Sequence, residues 1–100
     1  MSYSYKVTCD RDFTKLNSRI ILLENDYYEV SVIKPFDKNQ TTTVNVTAKD
    51  KLNTPRIIYM DIDHIDISIP DSVDYKNVQD KTEIAVKSID ALKAVIENYI

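Results

Sequence analysis

The chain has 100 residues, of which 43% are hydrophobic and 29% charged, and a formal net charge of −3, which is typical of one globular domain with one core. Lysine and arginine form no cluster, which argues against nucleic-acid binding because that affinity depends on cations placed against phosphates. Glycine is absent, and this excludes the phosphate-binding loops and nucleophile elbows that require it.

A single cysteine, Cys9, excludes an internal disulfide and fits a reducing compartment. The longest apolar runs, Ile20–Leu23 and Ile57–Met60, have four residues each, far short of the about 20 that a membrane span needs. The N-terminus also lacks the apolar segment of a secretory signal. Ile, Lys, Asn and Tyr make up 37 of the 100 residues, a composition similar to small accessory proteins of low-G+C bacteria and their phages. We therefore expect a protein of the cytoplasm of a bacterium or of a phage-infected cell, with no membrane contact and no cofactor.

Alternating apolar and polar residues predict a half-buried strand at the N-terminus, with Tyr3, Tyr5, Val7 and Cys9 facing the core. A hairpin follows, with Asn25-Asp26 as its two-residue turn. This turn predicts that Leu23 faces Tyr28, Ile21 faces Val30 and Arg19 faces Val32 on the core side, and that Glu24 faces Tyr27, Leu22 faces Glu29 and Ile20 faces Ser31 on the other side.

The segment after Pro35 predicts a polar turn at Asp37-Lys38-Asn39 and then a fourth strand. Asn and Asp are expected at turns because, in a chain without glycine, they are the residues that tolerate left-handed backbone conformations best. In the fourth strand, period-two alternation points Val44, Val46 and Ala48 toward the core.

The extended segment that begins at Pro55 alternates with period two but changes phase once. A β-bulge near Asp63-His64 would place both phases in one strand, and a tight turn that splits the segment into two strands is the alternative. We favour the bulge, because Ile62 is a poor turn residue. The residues expected to face the core are Ile58, Met60 and Ile62 before the phase change and Ile65, Ile67 and Ile69 after it.

Residues 70–79 show no periodicity and predict a loop, and an amphipathic helix is predicted over 80–100. The sequence Asp80-Lys-Thr-Glu83 matches a capping box at the start of this helix. The fold class is therefore α+β: a meander-like antiparallel sheet of about five strands within residues 2–69, with the C-terminal helix packed on one face. The apolar side of the helix consists of Ile84, Ala85, Ile89, Ala91, Leu92, Val95, Ile96, Tyr99 and Ile100.

The stretch YMDIDHIDISIPD, residues 59–71, holds four carboxylates and the only histidine. The bulge would put Asp61, Asp63 and Asp66 on the outer face of the sheet, with His64 at the bulge. Carboxylates suit a hard cation, which makes these four residues candidate metal ligands. Alternate residues on a strand lie ~6.6 Å apart and tend to splay, so a solvated strand face is the favoured interpretation. No catalytic residues are predicted.

Six large apolar side chains are predicted on the sheet face away from the helix, where a polar surface is expected. If these side chains adjoin, they form a patch of the size associated with interfaces. Ordinary exposure of a few apolar groups, or cover by the loop 70–79, is the alternative. The six residues are Ile20, Leu22, Tyr27, Ile33, Ile57 and Tyr59.

The leading hypothesis is a small non-enzymatic protein-binding module, such as a stoichiometric inhibitor, an immunity protein or a phage-encoded antagonist. The apolar face would contact the partner, and Asp61, Asp63 and Asp66 would form an acidic rim that favours a basic partner surface. The second hypothesis is a homodimeric structural component that uses the same face. The third is a divalent-metal protein that uses the aspartates and His64.

Overall fold

The computed structural model describes residues 3–49, 54–61, 63–69 and 75–99. Four strands form an antiparallel sheet in the order β1-β2-β3-β4, two further strands pair as a separate hairpin, and one helix follows. This arrangement confirms the α+β fold class and replaces the predicted sheet of about five strands with six strands in two sheets. The elements are β1 Lys6–Phe13, β2 Ser18–Glu24, β3 Tyr28–Pro35, β4 Thr43–Ala48, β5 Arg56–Met60, β6 Ile65–Ser68 and α1 Tyr75–Tyr99.

The β2–β3 hairpin turns at Asp26 and Tyr27, one residue later than predicted, because Asn25 pairs with Tyr28 through a backbone hydrogen bond of 3.0 Å. Leu23 therefore lies opposite Val30 rather than Tyr28, and the predicted pairing is wrong by two residues. Side chains alternate with a period of two, so a two-residue error leaves each residue within β2 and β3 on its predicted face. The inward-facing residues of this hairpin are buried as predicted: Ile21, Leu23, Tyr28, Val30 and Val32.

A register shift in β1 changes which residues face the core. Val7 lies opposite Leu23, but Cys9 lies opposite Leu22, so Thr8 is an extra residue in a β-bulge. Directly opposed residues share a face, and Cys9 consequently lies on the Leu22 side of the sheet. The prediction that Cys9 faces the core is wrong for this reason, whereas Val7 packs against the core as predicted.

The segment after Pro55 is a hairpin, not one bulged strand. The backbone amide of Asp61 donates to the carbonyl of His64 over 2.8 Å and closes a tight turn between β5 and β6. The predicted bulge at Asp63-His64 is therefore wrong and the turn alternative is right. Ile62 lies outside the described residues. A bulge does occur in this segment, but at Ile58, in the middle of β5.

The bulge at Ile58 reverses two predicted orientations. Ile57 lies opposite Ile67, and both pack against the core, whereas Ile58 is 68% exposed. The sequence predicts the opposite, with Ile57 outward and Ile58 inward, because uninterrupted alternation was assumed through β5. Met60, which follows the bulge, packs inward as predicted.

Helix α1 begins at Tyr75, so the predicted start at Asp80 is wrong by five residues. Residues 75–79 contain neither proline nor glycine, and nothing in them stops a helix from extending beyond the capping-box pattern. Asp80 is thus a residue inside the helix. Residues 70–74 of the predicted loop lie outside the described residues, and so does residue 100 at the predicted end of the helix. The predicted apolar side is buried at Ala85, Ile89, Leu92 and Ile96.

Tyr28 joins the two sheets beneath this helix. Its side chain is fully buried, and its hydroxyl donates to the carbonyl of Pro55 over 2.8 Å, just before β5. Burial raises the pKa of Tyr28 to about 12. The inward side of the four-stranded sheet, the inward side of the hairpin and α1 therefore share one apolar core, and the opposite side of each sheet points away from it. In the part of the chain that the structure describes, no helix combines the length and apolar character required of a membrane span.

Candidate functional site

The first candidate surface is the face of the four-stranded sheet opposite α1, which we call the outer face. Ile20 lies directly opposite Ile33, and Leu22 lies opposite Ser31, one step nearer the β2–β3 turn. Leu22 is 39% exposed, while its chain neighbours Ile21 and Leu23 are buried on the inner face. Strand alternation thus places an apolar cluster of Ile20, Leu22 and Ile33 on the side that the helix leaves uncovered.

At the Leu22 end of this cluster, polar side chains line an open concavity of about 450 Å³. Ser31 and Asn45 lie opposite each other beside Leu22, so the row across β2, β3 and β4 passes from apolar to hydrogen-bonding side chains. A lining of mixed polarity and an open form are features of a contact surface rather than of an enclosed small-molecule site. The concavity is lined by Thr8, Leu22, Leu23, Glu24, Glu29, Val30, Ser31, Asn45 and Thr47.

Charged side chains lie at both ends of the outer face. At the β2–β3 turn, Glu24 lies opposite Glu29, and Glu24 forms an ion pair of 3.1 Å with Lys49. At the other end, Arg11 lies opposite Ile20 and places its guanidinium 4.3 Å from the centre of the Phe13 ring. The outer face therefore carries charges of both signs near the turn, because Lys6 also lies opposite Glu24, and Arg11 places a cation beside its apolar cluster.

The second candidate surface is the outward side of the β5–β6 hairpin. We call it the hairpin surface and define it by Ile58, Tyr59, Asp61, Asp63, His64 and Asp66. Tyr59 is 53% exposed and lies opposite Asp66. The rings of Tyr59 and His64 are 5.9 Å apart between centroids, and His64 Nε2 lies 3.1 Å from Asp66 Oδ1. The turn and both strand ends thus place aromatic, apolar and carboxylate groups next to each other.

Asp61 has a structural role within this surface. Its Oδ1 accepts the backbone amides of Asp63 and His64 over 2.8 and 2.6 Å, and its Oδ2 accepts the Tyr59 hydroxyl over 3.0 Å. The two amide hydrogen bonds, and then the hydroxyl, hold the pKa of Asp61 below its ordinary value. The same hydrogen bond to the carboxylate raises the pKa of Tyr59. One of the four carboxylates in the acidic stretch is therefore a turn cap.

The other acidic groups of this stretch that the structure describes do not converge, and Asp71 lies outside the described residues. Within residues 3–49, 54–61, 63–69 and 75–99, no group of three or more His, Cys, Asp or Glu side chains is placed to hold a metal ion. The four candidate ligands Asp61, Asp63, His64 and Asp66 all lie inside these ranges. Asp61 is engaged by the turn, and His64 pairs with Asp66. The geometry therefore gives the metal hypothesis no support.

The structure divides the residues predicted to bind a partner into three groups. Ile20, Leu22 and Ile33 adjoin on the outer face. Tyr59, Asp61, Asp63 and Asp66 share the hairpin surface, which belongs to the separate two-stranded sheet. Tyr27 and Ile57 do not face outward as predicted: both pack against the core, and Tyr27 stacks on Tyr3 with ring centroids 6.3 Å apart.

Sequence reasoning missed four exposed apolar residues, Leu16, Phe36, Ile58 and Val86. Leu16 and Phe36 lie near each other, because the amide of Phe36 donates to the carbonyl of Asn17 over 2.9 Å. Leu16 lies two residues before β2, and Phe36 lies one residue after β3. Alternation predicts the direction of side chains only within a strand, so it makes no prediction at these positions. Ile58 was missed because only the strand pairing reveals its bulge.

Comparison of the chain with protein-family models, curated proteins and solved structures finds no significant match. The functional argument accordingly rests on these two surfaces.

Proposed function

We propose that this chain is a small non-enzymatic protein-binding module that contacts its partner through the outer face. The observation that supports this proposal is the adjoining cluster of Ile20, Leu22 and Ile33 on the uncovered side of the sheet. Helix α1 covers the inner face of the sheet, and a partner protein would cover the outer face. The neighbouring hydroxyl and amide groups would supply the polar surroundings that protein interfaces carry around an apolar centre.

The proposal extends to a stoichiometric inhibitor, immunity protein or phage-encoded antagonist that acts in the cytoplasm. A single free cysteine supports the reducing compartment. The exposed carboxylates of the hairpin surface favour a partner with a basic surface. No chemistry is assigned to the chain, because its functional residues are proposed to act by contact alone.

The test is a pair of matched variants, Leu22→Asp on the outer face and Val86→Asp on α1. The two residues are similarly exposed, at 39% and 45%, so each variant introduces one charge on a surface without disturbing the core. Both are expected to keep the wild-type circular dichroism spectrum and melting temperature. In affinity capture from a lysate of the organism that encodes the chain, Val86→Asp retains the wild-type partner and Leu22→Asp loses it.

Retention of the same partner by a folded Leu22→Asp variant would contradict the proposal. Light scattering over a concentration series tests the homodimer alternative. A mass that rises to that of two chains in the wild type, but not in Leu22→Asp, would assign the outer face to self-association instead. In contrast, a constant monomer mass excludes the homodimer.

A further inference from the structure

The β-bulge in β5 has a consequence for binding because it turns an apolar residue toward solvent. Ile57 lies opposite Ile67 and Tyr59 lies opposite Asp66, so Ile58 has no partner residue of its own on β6. Ile58 is the most exposed large apolar side chain among the described residues, at 68%, and Tyr59 beside it is 53% exposed. Bulges commonly re-aim side chains in this way at functional sites.

We infer that the hairpin surface is a docking site for a basic segment of a partner protein, with Ile58 and Tyr59 as the apolar centre and Asp61, Asp63 and Asp66 as its acidic surroundings. This inference rests on the proposed protein-binding function but not on the outer face. Large apolar or aromatic side chains at the centre of a contact, with charged groups around them, are the usual anatomy of an interface.

The charge of the hairpin surface determines which kind of binding partner fits it. Residues 56–69, which span the hairpin, contain three aspartates, one histidine and a single basic residue, Arg56 at the start of β5, and Asp61, Asp63 and Asp66 are all exposed. A lysine- or arginine-rich segment would be attracted to this surface. A second copy of the chain would place aspartates against aspartates in a symmetric contact, and nucleic acid or anionic lipid would be repelled in the same way.

Tyr59 is held in position for such a contact. Its hydroxyl is occupied by Asp61 over 3.0 Å, and Asp61 is itself fixed by the backbone amides of Asp63 and His64. The phenol ring is therefore anchored at its tip. A partner would meet a ring that has little side-chain freedom left to lose, and the entropy cost of binding falls accordingly.

The test selects peptides from a random display library on the immobilised full chain and measures their dissociation constants by fluorescence anisotropy. The expected binders carry several lysines or arginines around an aliphatic or aromatic residue. Ile58→Ser is expected to weaken them at least about fivefold, and its matched control Val86→Ser, on α1, to change binding by less than about twofold.

A second pair of variants isolates the charge contribution. Asp63→Asn/Asp66→Asn removes two carboxylates from the hairpin surface and leaves the turn cap Asp61 in place. Asp80→Asn/Asp90→Asn makes the same change in net charge at two exposed positions of α1. Only the first pair is expected to weaken the peptides. Its effect should shrink as NaCl is raised from about 0.05 to about 0.5 M, because salt screens exposed charges.

The inference is overturned if no selected peptide depends on Ile58, if the dependent peptides carry no excess of lysine and arginine, or if both charge variants act alike. The outer face is tested separately, because Leu22→Asp should bind the selected peptides as the wild type does. If Leu22→Asp loses the captured partner while no peptide depends on Ile58, the hairpin inference alone fails. If peptides depend on Ile58 while Leu22→Asp keeps its partner, only the outer-face proposal fails.

Discussion

The two tight hairpin turns of this protein have the same hydrogen-bond pattern but different capping residues. In the β2–β3 turn, Asn25 Oδ1 accepts the backbone amides two and three residues later, both over 2.8 Å. In the β5–β6 turn, Asp61 Oδ1 accepts the amides at the same two positions. In each turn, the backbone amide of the capping residue also donates to the carbonyl three residues ahead.

Burial explains why one cap is an amide and the other a carboxylate. Asn25 is 7% exposed and borders the core, where a neutral side chain avoids the cost of desolvating a charge. Asp61 lies at the surface, where a charged acceptor forms stronger hydrogen bonds at little cost. The chain contains no glycine, and Asp26 and Tyr27 do not adopt positive φ. A side-chain cap thus does the work that a glycine-containing turn would otherwise do.

The largest difference between the two turns is expected from removing each cap. Asn25→Ala leaves the amides of Tyr27 and Tyr28 without an acceptor in a buried place and should lower the free energy of unfolding by about 2–4 kcal/mol. Asp61→Ala should lower it by clearly less, because water can replace the carboxylate. Urea unfolding followed by circular dichroism measures both. Equal losses would mean that burial does not distinguish the turns.

Breaking the link between the two hairpins should have the next largest effect. Tyr28→Phe leaves the buried carbonyl of Pro55 without its donor and should cost about 1–3 kcal/mol at neutral pH. The raised pKa of Tyr28, about 12 against an ordinary 10.0, adds a pH dependence. A phenol with a raised folded-state pKa stabilises the fold fully below its unfolded pKa, and this contribution is lost as pH rises through the folded value.

That loss amounts to about 3 kcal/mol between roughly pH 10 and 12 and should be visible in the denaturant midpoints of the wild type. Tyr28→Phe should lose correspondingly less over this range. If wild type and variant decline in parallel, Tyr28 does not carry the alkaline sensitivity.

The two turns should also respond differently to low pH, and this difference can be observed at individual backbone amides. The depressed pKa of Asp61 means that its contribution to stability is present above the unfolded pKa and is lost as pH falls through the lower, folded value. In ¹H–¹⁵N spectra, the amides of Asp63 and His64 should shift together with a midpoint below the ordinary aspartate value. The amides capped by Asn25 should not follow this titration, and Asp61→Asn should abolish it. A shared titration of both turns would contradict this expectation.

The smallest effect is expected at the bulge. Ile58→Ser should change the free energy of unfolding by less than about 0.5 kcal/mol, because the side chain is largely solvated. Its neighbour Ile57 packs against the core, and Ile57→Ser should be the more damaging of the two. Thermal unfolding of the pair is sufficient to rank them. The reverse ranking would mean that β5 keeps uninterrupted alternation.

Most of the secondary structure could be predicted from the sequence alone. Period-two alternation predicted the inward residues of β2, β3 and β4, and the 3.6-residue period predicted the buried side of α1. These patterns are local, because each reflects which side chains of one element can leave water together. The absence of glycine likewise predicted turns at Asn25 and Asp37, where the side chains do accept turn amides. Asp61, predicted on a strand face, caps a turn as well.

Part of the candidate site could also be predicted from the sequence. Ile20, Leu22 and Ile33 were expected to face away from the helix, and they adjoin on the outer face. The exposure of Tyr59 was expected as well. In contrast, Tyr27, Ile57 and Ile58 were placed on the wrong sides, because Tyr27 lies in the turn rather than in a strand and a bulge decides the directions of Ile57 and Ile58.

Tertiary structure alone decided where alternation is interrupted. The bulges at Thr8 and Ile58 turn Cys9 outward and Ile57 inward. No residue type in either strand indicates where the extra residue lies. A bulge forms where pairing with the partner strand and packing against the core are better when two residues lie opposite one. This depends on both strands together and cannot be recognised in either strand alone. By itself the sequence determined which elements form and which side of most of them is apolar. The fold decided how those elements are registered, and with that which apolar groups remain exposed for a partner.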